Sequence, residues 1–120
     1  AVRHLREGRV VIFAAGLGRP YFSTDTAGAL RAIEIGADAI LMAKNIDGVY
    51  TADPKTDPTA VKLDRVSYSE ILARDLRVID LTSAALCKEN KMPTLVFGLD
   101  DPENIYRAVT GEALGTLITE

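Results

Sequence analysis

An apolar run, a glycine-punctuated turn and a polar cluster succeed one another in Val10-Val11-Ile12-Phe13-Ala14-Ala15-Gly16-Leu17-Gly18-Arg19-Pro20-Tyr21-Phe22-Ser23-Thr24-Asp25-Thr26. The apolar run predicts a buried strand over about 9–14, and a helical pattern begins near Thr24. Strand, glycine turn and helix in that order place backbone N–H groups and a helix N-terminus where α/β proteins bind anions. Two spaced glycines carry little weight alone. Ser23, Thr24, Asp25 and Thr26 add hydroxyls and a carboxylate at the same helix start.

Working outward, the helix over about 25–36 sets Ala29, Leu30, Ile33 and Ala37 at helical spacing, and Gly36 ends it. A second apolar strand over about 38–43 follows. Strand, helix and strand in so few residues predict parallel strands with a right-handed crossover. That geometry brings residues 16–25 and 44–53 to one edge of the sheet. Upstream, residues 2–7 read as the last turns of a helix ended by Gly8 and lacking a start signal, as expected of a chain that opens inside an element.

Downstream, Ala52-Asp53-Pro54-Lys55-Thr56-Asp57-Pro58 predicts an exposed loop, and Val61-Lys62-Leu63 is strand-like. Ser67-Tyr68-Ser69-Glu70 reads as a capping box for a short helix to about Arg74. A helix over about 81–91, a buried strand Thr94–Phe97, a helix opened by Asp101-Pro102-Glu103 and closed by Gly111, and a terminal strand Gly115–Ile118 complete the pattern. No internal repeat and no second-domain boundary interrupt it, so residues 1–120 are expected to form one unit.

Composition narrows the function classes. Forty-eight per cent apolar residues argue for a folded unit, and 120 residues suffice to bury roughly two-thirds of the unfolded surface. Fourteen basic and 17 acidic residues are spread along the chain without a basic run, so no nucleic-acid partner is expected. No apolar stretch approaches the ~20 residues that span a bilayer, and no signal-peptide pattern is present, which predicts a cytoplasmic protein without membrane contact. Cys87 reads as a buried core thiol and His4 as a surface residue, and no metal-ligand set is expected.

Four acids remain for chemistry: Asp25, Asp47, Asp53 and Asp80. Each has a structural alternative. Asp25 and Asp80 fit helix caps, Asp47-Gly48 a turn, and Asp53-Pro54 a turn initiator. Lys44 fits either a phosphate-neutralising cation or an exposed loop residue.

Gly8–Phe13, Ala29–Asp38, Asp47-Gly48-Val49-Tyr50, Val78-Ile79-Asp80-Leu81-Thr82, Met92–Phe97 and Gly115–Glu120, taken in order, resemble the C-terminal half of the bacterial UMP kinase (uridylate kinase) family of the amino-acid kinase superfamily. The resemblance covers nearly the whole chain, whereas the family is about twice as long. It implies an α/β fold, a three-layer sandwich with a largely parallel sheet. It also implies transfer of the γ-phosphoryl of ATP to UMP, giving UDP and ADP in pyrimidine nucleotide synthesis, with Mg²⁺ carried on the ATP.

By the same resemblance, Asp25 and Asp80 belong to the catalytic region, orienting a phosphate-binding lysine and the magnesium–phosphate cluster. Leu17, Gly18, Arg19, Pro20, Tyr21, Phe22, Ser23 and Thr24 form the UMP loop. Tyr21 and Phe22 either wall the base or pack in the core; Ser23 and Thr24 either donate to the nucleotide or cap the helix. Asn45, Tyr50 and Asp53 match ATP positions, and Asp47-Gly48 shapes their loop. The family forms homohexamers activated by GTP and inhibited by UTP. Leu17 and Arg19 depart from its Gly-Thr-Gly-Asn-Pro pattern and Gly98 from its asparagine, removing neutral hydrogen-bonding side chains. Its Lys-x-Ser-Gly segment, Gly-Gly-Gly loop and phosphate-contacting arginine have no counterpart, so the 120 residues alone are expected to be an inactive fragment. Two other readings stand beside this one: another amino-acid kinase, and a non-catalytic nucleotide-binding module.

Overall fold

The computed structural model describes residues 1–120. Its elements run α1 (Val2–Arg6), α2 (Thr24–Ile35), β1 (Ile40–Lys44), β2 (Val49–Tyr50), β3 (Lys62–Leu63), β4 (Arg65–Ser67), α3 (Tyr68–Arg74), α4 (Leu81–Glu89), β5 (Thr94–Gly98), α5 (Glu103–Val109) and β6 (Thr116–Thr119). Four strands form a sheet in the order β1-β5-β6-β4, and β2 pairs with β3 as an antiparallel ribbon beside it. β1 runs parallel to β5 and β4 parallel to β6, while β5 and β6 are antiparallel. The fold is therefore α/β with a mainly parallel sheet.

Strand alternation decides what is buried. Ile40 and Met42 of β1, Val96 of β5, Ile118 of β6 and Val66 of β4 point into one core with Ala29 and Ala32 of α2, Ile71 of α3, and Ala84 and Cys87 of α4. Tyr68 sits at its centre, fully buried; its hydroxyl donates to the Met92 carbonyl at 2.5 Å and accepts from Thr94 Oγ1 at 2.7 Å. A buried phenol with both hydrogen bonds made costs little desolvation energy. On the opposite parity of β5, Phe97 is also buried, and α5 packs against β5 and β1.

The helices begin and end where the sequence places their signals. Ser23 caps α2, accepting from Thr26 N at 3.2 Å, and Gly36 closes it at φ 67°, the left-handed conformation that glycine adopts without a Cβ clash. Ser67 caps α3 through Glu70 N at 3.0 Å. The reciprocal half of the expected capping box is absent, because the Glu70 carboxylate pairs with Arg74 one turn on, at 2.5 Å.

The expected strand over 9–14 does not form. Val10 and Ile12 stand 93% and 88% exposed, and Val10–Ala14 makes no backbone hydrogen bond. A strand needs a partner for its N–H and C=O row; β1 is the edge of the sheet, and its outer side pairs with nothing in this chain. The parallel strand–helix–strand unit expected over 9–43 is accordingly reduced to its helix and second strand. The sequence pattern also missed β2 and β4, two- and three-residue strands too short to show a period. No helix is long and apolar enough to cross a membrane.

Candidate functional site

β1 ends at Lys44, and α2 begins beside it. Lys44 Nζ lies 2.8 Å from Asp25 Oδ2, and both side chains are about four-fifths buried, at 23% and 20% exposure. Asp25 occupies the first turn of α2 but does not cap it; Ser23 does. Its carboxylate is therefore free to hold the lysine.

Asp80 approaches from α4. It caps that helix, accepting from Ser83 N at 2.7 Å, and also accepts from Thr26 Oγ1 at 3.1 Å and from the Ser23 hydroxyl. Ser83 Oγ returns a bond to the Asp25 carbonyl at 3.3 Å. Two helix N-termini are thus laced together by hydroxyls and one carboxylate. Burial works against the Asp80 charge, yet the bonds from Ser23, Ser83 N and Thr26, with Lys44 nearby, outweigh it and hold the carboxyl below its ordinary range.

Two clefts meet here. One, of about 410 Å³, is lined by Asp25, Lys44 and Asp80 together with the α3–α4 loop. The other, of about 800 Å³, runs from Lys44 and Asn45 along Tyr50–Lys55 and back to the same loop. Three acids face two cations in the smaller cleft, Asp25, Asp75 and Asp80 against Lys44 and Arg77. No three His, Cys, Asp or Glu residues converge as a metal cage. The donor set fits a divalent ion that arrives already bound to phosphate oxygens, since such an ion keeps most of its ligands from its own carrier and needs few carboxylates.

Gly48, on the wall of the larger cleft, packs closely against Thr116. A Cβ on Gly48 would stand 2.7 Å from Thr116 Oγ1 and 3.0 Å from the Lys62 side chain. That close approach lets the buried Thr116 hydroxyl accept from Val49 N at 2.8 Å and donate to the Leu63 carbonyl, tying the β2–β3 ribbon to β6. Tyr50 donates to Asp47 Oδ1 at 2.8 Å, a bond that, with partial desolvation, pushes its phenol up.

The predicted residues separate into three groups. Ser23, Asp25 and Asp80 come together as one cluster. Asn45, Tyr50 and Asp53 line the second cleft, and Asp53 also makes the turn its sequence allowed, accepting from Lys55 N at 2.9 Å. Leu17–Phe22 stays outside both: Tyr21 is fully exposed at φ 69°, Phe22 is 53% exposed, and the loop's one internal backbone bond is Gly18 N to the Ala15 carbonyl. Core packing of Tyr21 and Phe22 is thereby excluded within this chain. Lys44, mostly buried and held by Asp25 at the end of β1, is not the exposed loop residue that was one of its two readings. Thr26 belonged to the polar cluster read at this helix start but carried no role of its own there; its hydroxyl donates to Asp80. Thr116 gave no signal, because a threonine in a terminal strand reads as any strand residue.

The sequence pattern of the amino acid kinase family matches residues 1–98. This chain belongs to the amino acid kinase family. Among its relatives, the uridylate kinase of Streptomyces avermitilis is 61% identical over 119 residues, covering 98% of this chain and 47% of its own length. The uridylate kinase of Paenarthrobacter aurescens is 58% identical over 120 residues, 99% of this chain and 49% of that protein. The crystal structure of UMP kinase from Bacillus anthracis superimposes with a TM-score of 0.93 at 39% identity, covering 98% of this chain and 49% of that one. The chain spans about half the length of the curated relatives it matches.

Proposed function

We propose that these residues form the nucleotide-binding half of a UMP kinase, which transfers the γ-phosphoryl of MgATP to UMP and yields UDP and ADP. The observation that carries the reading is the junction of Asp25, Lys44 and Asp80 between two clefts, in a chain about 60% identical to uridylate kinases. Phosphoryl transfer requires placement and charge neutralisation more than a protein nucleophile. The larger cleft takes ATP, with Asn45, Tyr50 and Asp53 on its wall. The smaller one receives the phosphates, where Asp25 fixes the Lys44 ammonium and Asp80 holds the starts of α2 and α4 in register.

Leu17–Thr24 folds over UMP, with Gly18 admitting the backbone close to the ligand, Leu17, Arg19, Pro20, Tyr21 and Phe22 as the loop's body, and Ser23 and Thr24 donating to the nucleotide. Mg²⁺ enters as part of the substrate and neutralises the triphosphate, which the acid surplus of the cleft would otherwise repel. For the complete enzyme, the family resemblance read in the sequence carries the expectation of a cytoplasmic homohexamer activated by GTP and inhibited by UTP. With Lys44 and Arg77 as the cations common to both clefts, the 120 residues alone should turn over little or no substrate.

The test is release of ADP by the complete natural protein, dependent on both UMP and MgATP, with acetylglutamate, carbamate and aspartate as alternative acceptors. UDP formation supports the reading. Turnover of another acceptor in its place, or ATP binding with no turnover, overturns it.

A further inference from the structure

The α3–α4 loop, Asp75 to Asp80, forms a wall common to both clefts. Leu76 and Val78 pack against the core and Ile79 is buried in it, so the loop is anchored on both sides of Arg77. Arg77 points outward, its side chain 85% exposed, with Nη2 at 2.9 Å and Nε at 3.0 Å from Asp75 Oδ2. An ion pair this exposed is worth little, because water screens it and two side chains must be held still.

The other cations on these walls are differently engaged. Lys44 is held by Asp25; Arg74 is held by Glu70 and reaches the Thr51 carbonyl at 3.4 Å; Lys55 lines only the larger cleft. Arg77 alone combines a place on both clefts with a weakly held, exposed charge. A guanidinium presents a planar fork of donors suited to phosphate oxygens, and its charge persists at every physiological pH.

We infer that Arg77 is a phosphate-binding residue of this site: it exchanges Asp75 for the phosphate chain of the nucleoside triphosphate where the two clefts join. The inference rests on the proposed function for the identity of the ligand. Asp75 then serves as the resting partner. It keeps the guanidinium at the junction.

The test is calorimetric titration of the complete natural protein with MgATP and, separately, with adenosine, which shares the base and ribose but has no phosphate. Arg77→Gln is expected to weaken MgATP about tenfold or more, the loss of one charge-assisted contact, and to leave adenosine unchanged. Arg77→Lys should recover much of the difference. Asp75→Asn, which keeps a side chain tolerant of the left-handed conformation at φ 50°, should bind MgATP at least as tightly as wild type.

MgATP binding unaffected by Arg77→Gln, an equal loss for adenosine, or weaker binding by Asp75→Asn overturns the inference while leaving the proposed function standing. Wild-type protein that binds no MgATP overturns both. Because Arg77 is exposed, Arg77→Gln should melt with wild-type protein; if it does not, the Arg77→Lys and Asp75→Asn titrations decide.

Discussion

Lys44 Nζ and Asp25 Oδ2 stand 2.8 Å apart, joining the carboxyl end of an edge strand to the first turn of the helix that precedes it in the chain. The pair is too buried to be a decorative surface bridge and too open to be core; it lies where the two clefts meet. A charge pair in such a place fixes a cation without neutralising it completely, since the ammonium keeps two further protons for other acceptors.

Asp25→Asn in the complete protein is accordingly expected to lower kcat about a hundredfold, ~3 kcal/mol of barrier, because the lysine loses the group that aims it. Stability should change little, since Ser23 and not Asp25 caps the helix. Steady-state kinetics beside a thermal melt measure both. A large fall in melting temperature with kcat preserved would assign Asp25 to structure.

Asp80 makes the opposite prediction. Its folded carboxyl titrates below its ordinary range, the bonds from Ser23, Ser83 N and Thr26 outweighing burial. The unfolded state therefore holds the proton at a pH where the folded state has released it. The stability this confers is fully present above the unfolded value, near pH 4, and is lost as pH falls through the lower folded value. Urea midpoints measured from pH 6 down to pH 3 should fall more steeply for wild type than for Asp80→Asn. Parallel curves would mean that the carboxylate's network contributes nothing to stability.

How much of this was legible before the structure depends on which interactions are local. The α2 cap at Ser23, its stop at Gly36, the turn at Asp53 and the burial of Cys87 follow from side chains acting within a few residues, or from apolar spacing, and they appear where the sequence put them. Val10–Phe13 has the composition of a strand, but a strand is a relation to a neighbour, and composition does not supply the neighbour. The ion pair of Lys44 failed to show for the same reason, since its partner lies 19 residues away in sequence. Asp80 looked like a cap or a site residue; the structure gives it the cap and brings it to the cluster at once.

Thr116 offers a test of the ribbon that walls the larger cleft. Its hydroxyl satisfies Val49 N and the Leu63 carbonyl in a buried position. Thr116→Val keeps the shape but leaves both backbone groups unpaired, with an expected loss of ~1–3 kcal/mol in a denaturant titration. Thr116→Ser should retain most of it. Amide exchange at Val49 gives a local readout: faster exchange in the valine variant alone is expected, and unchanged protection would show that the ribbon is held by its own pairing with β3.

The last prediction concerns Leu17 and Arg19, which stand in a loop that meets neither cleft in this structure and that carries left-handed backbone at Gly16, Gly18 and Tyr21. A loop so short of internal hydrogen bonds takes its order from what it closes upon. A site that hydrogen-bonds a base rejects analogues strongly, because the wrong base leaves buried polar groups unpaired. Leu17 has no polar atom to contribute to that penalty. Arg19 brings a charge that meets a phosphate or a carbonyl oxygen without telling one pyrimidine from the other. Discrimination of UMP from CMP, as a ratio of kcat/KM values, should therefore be weaker in the complete natural protein than in its Leu17→Thr, Arg19→Asn double variant. Losing one hydrogen bond to a neutral group sets the scale, about 1 kcal/mol or roughly fivefold. Equal ratios would place base recognition in the backbone of Gly16–Pro20, where neither side chain takes part.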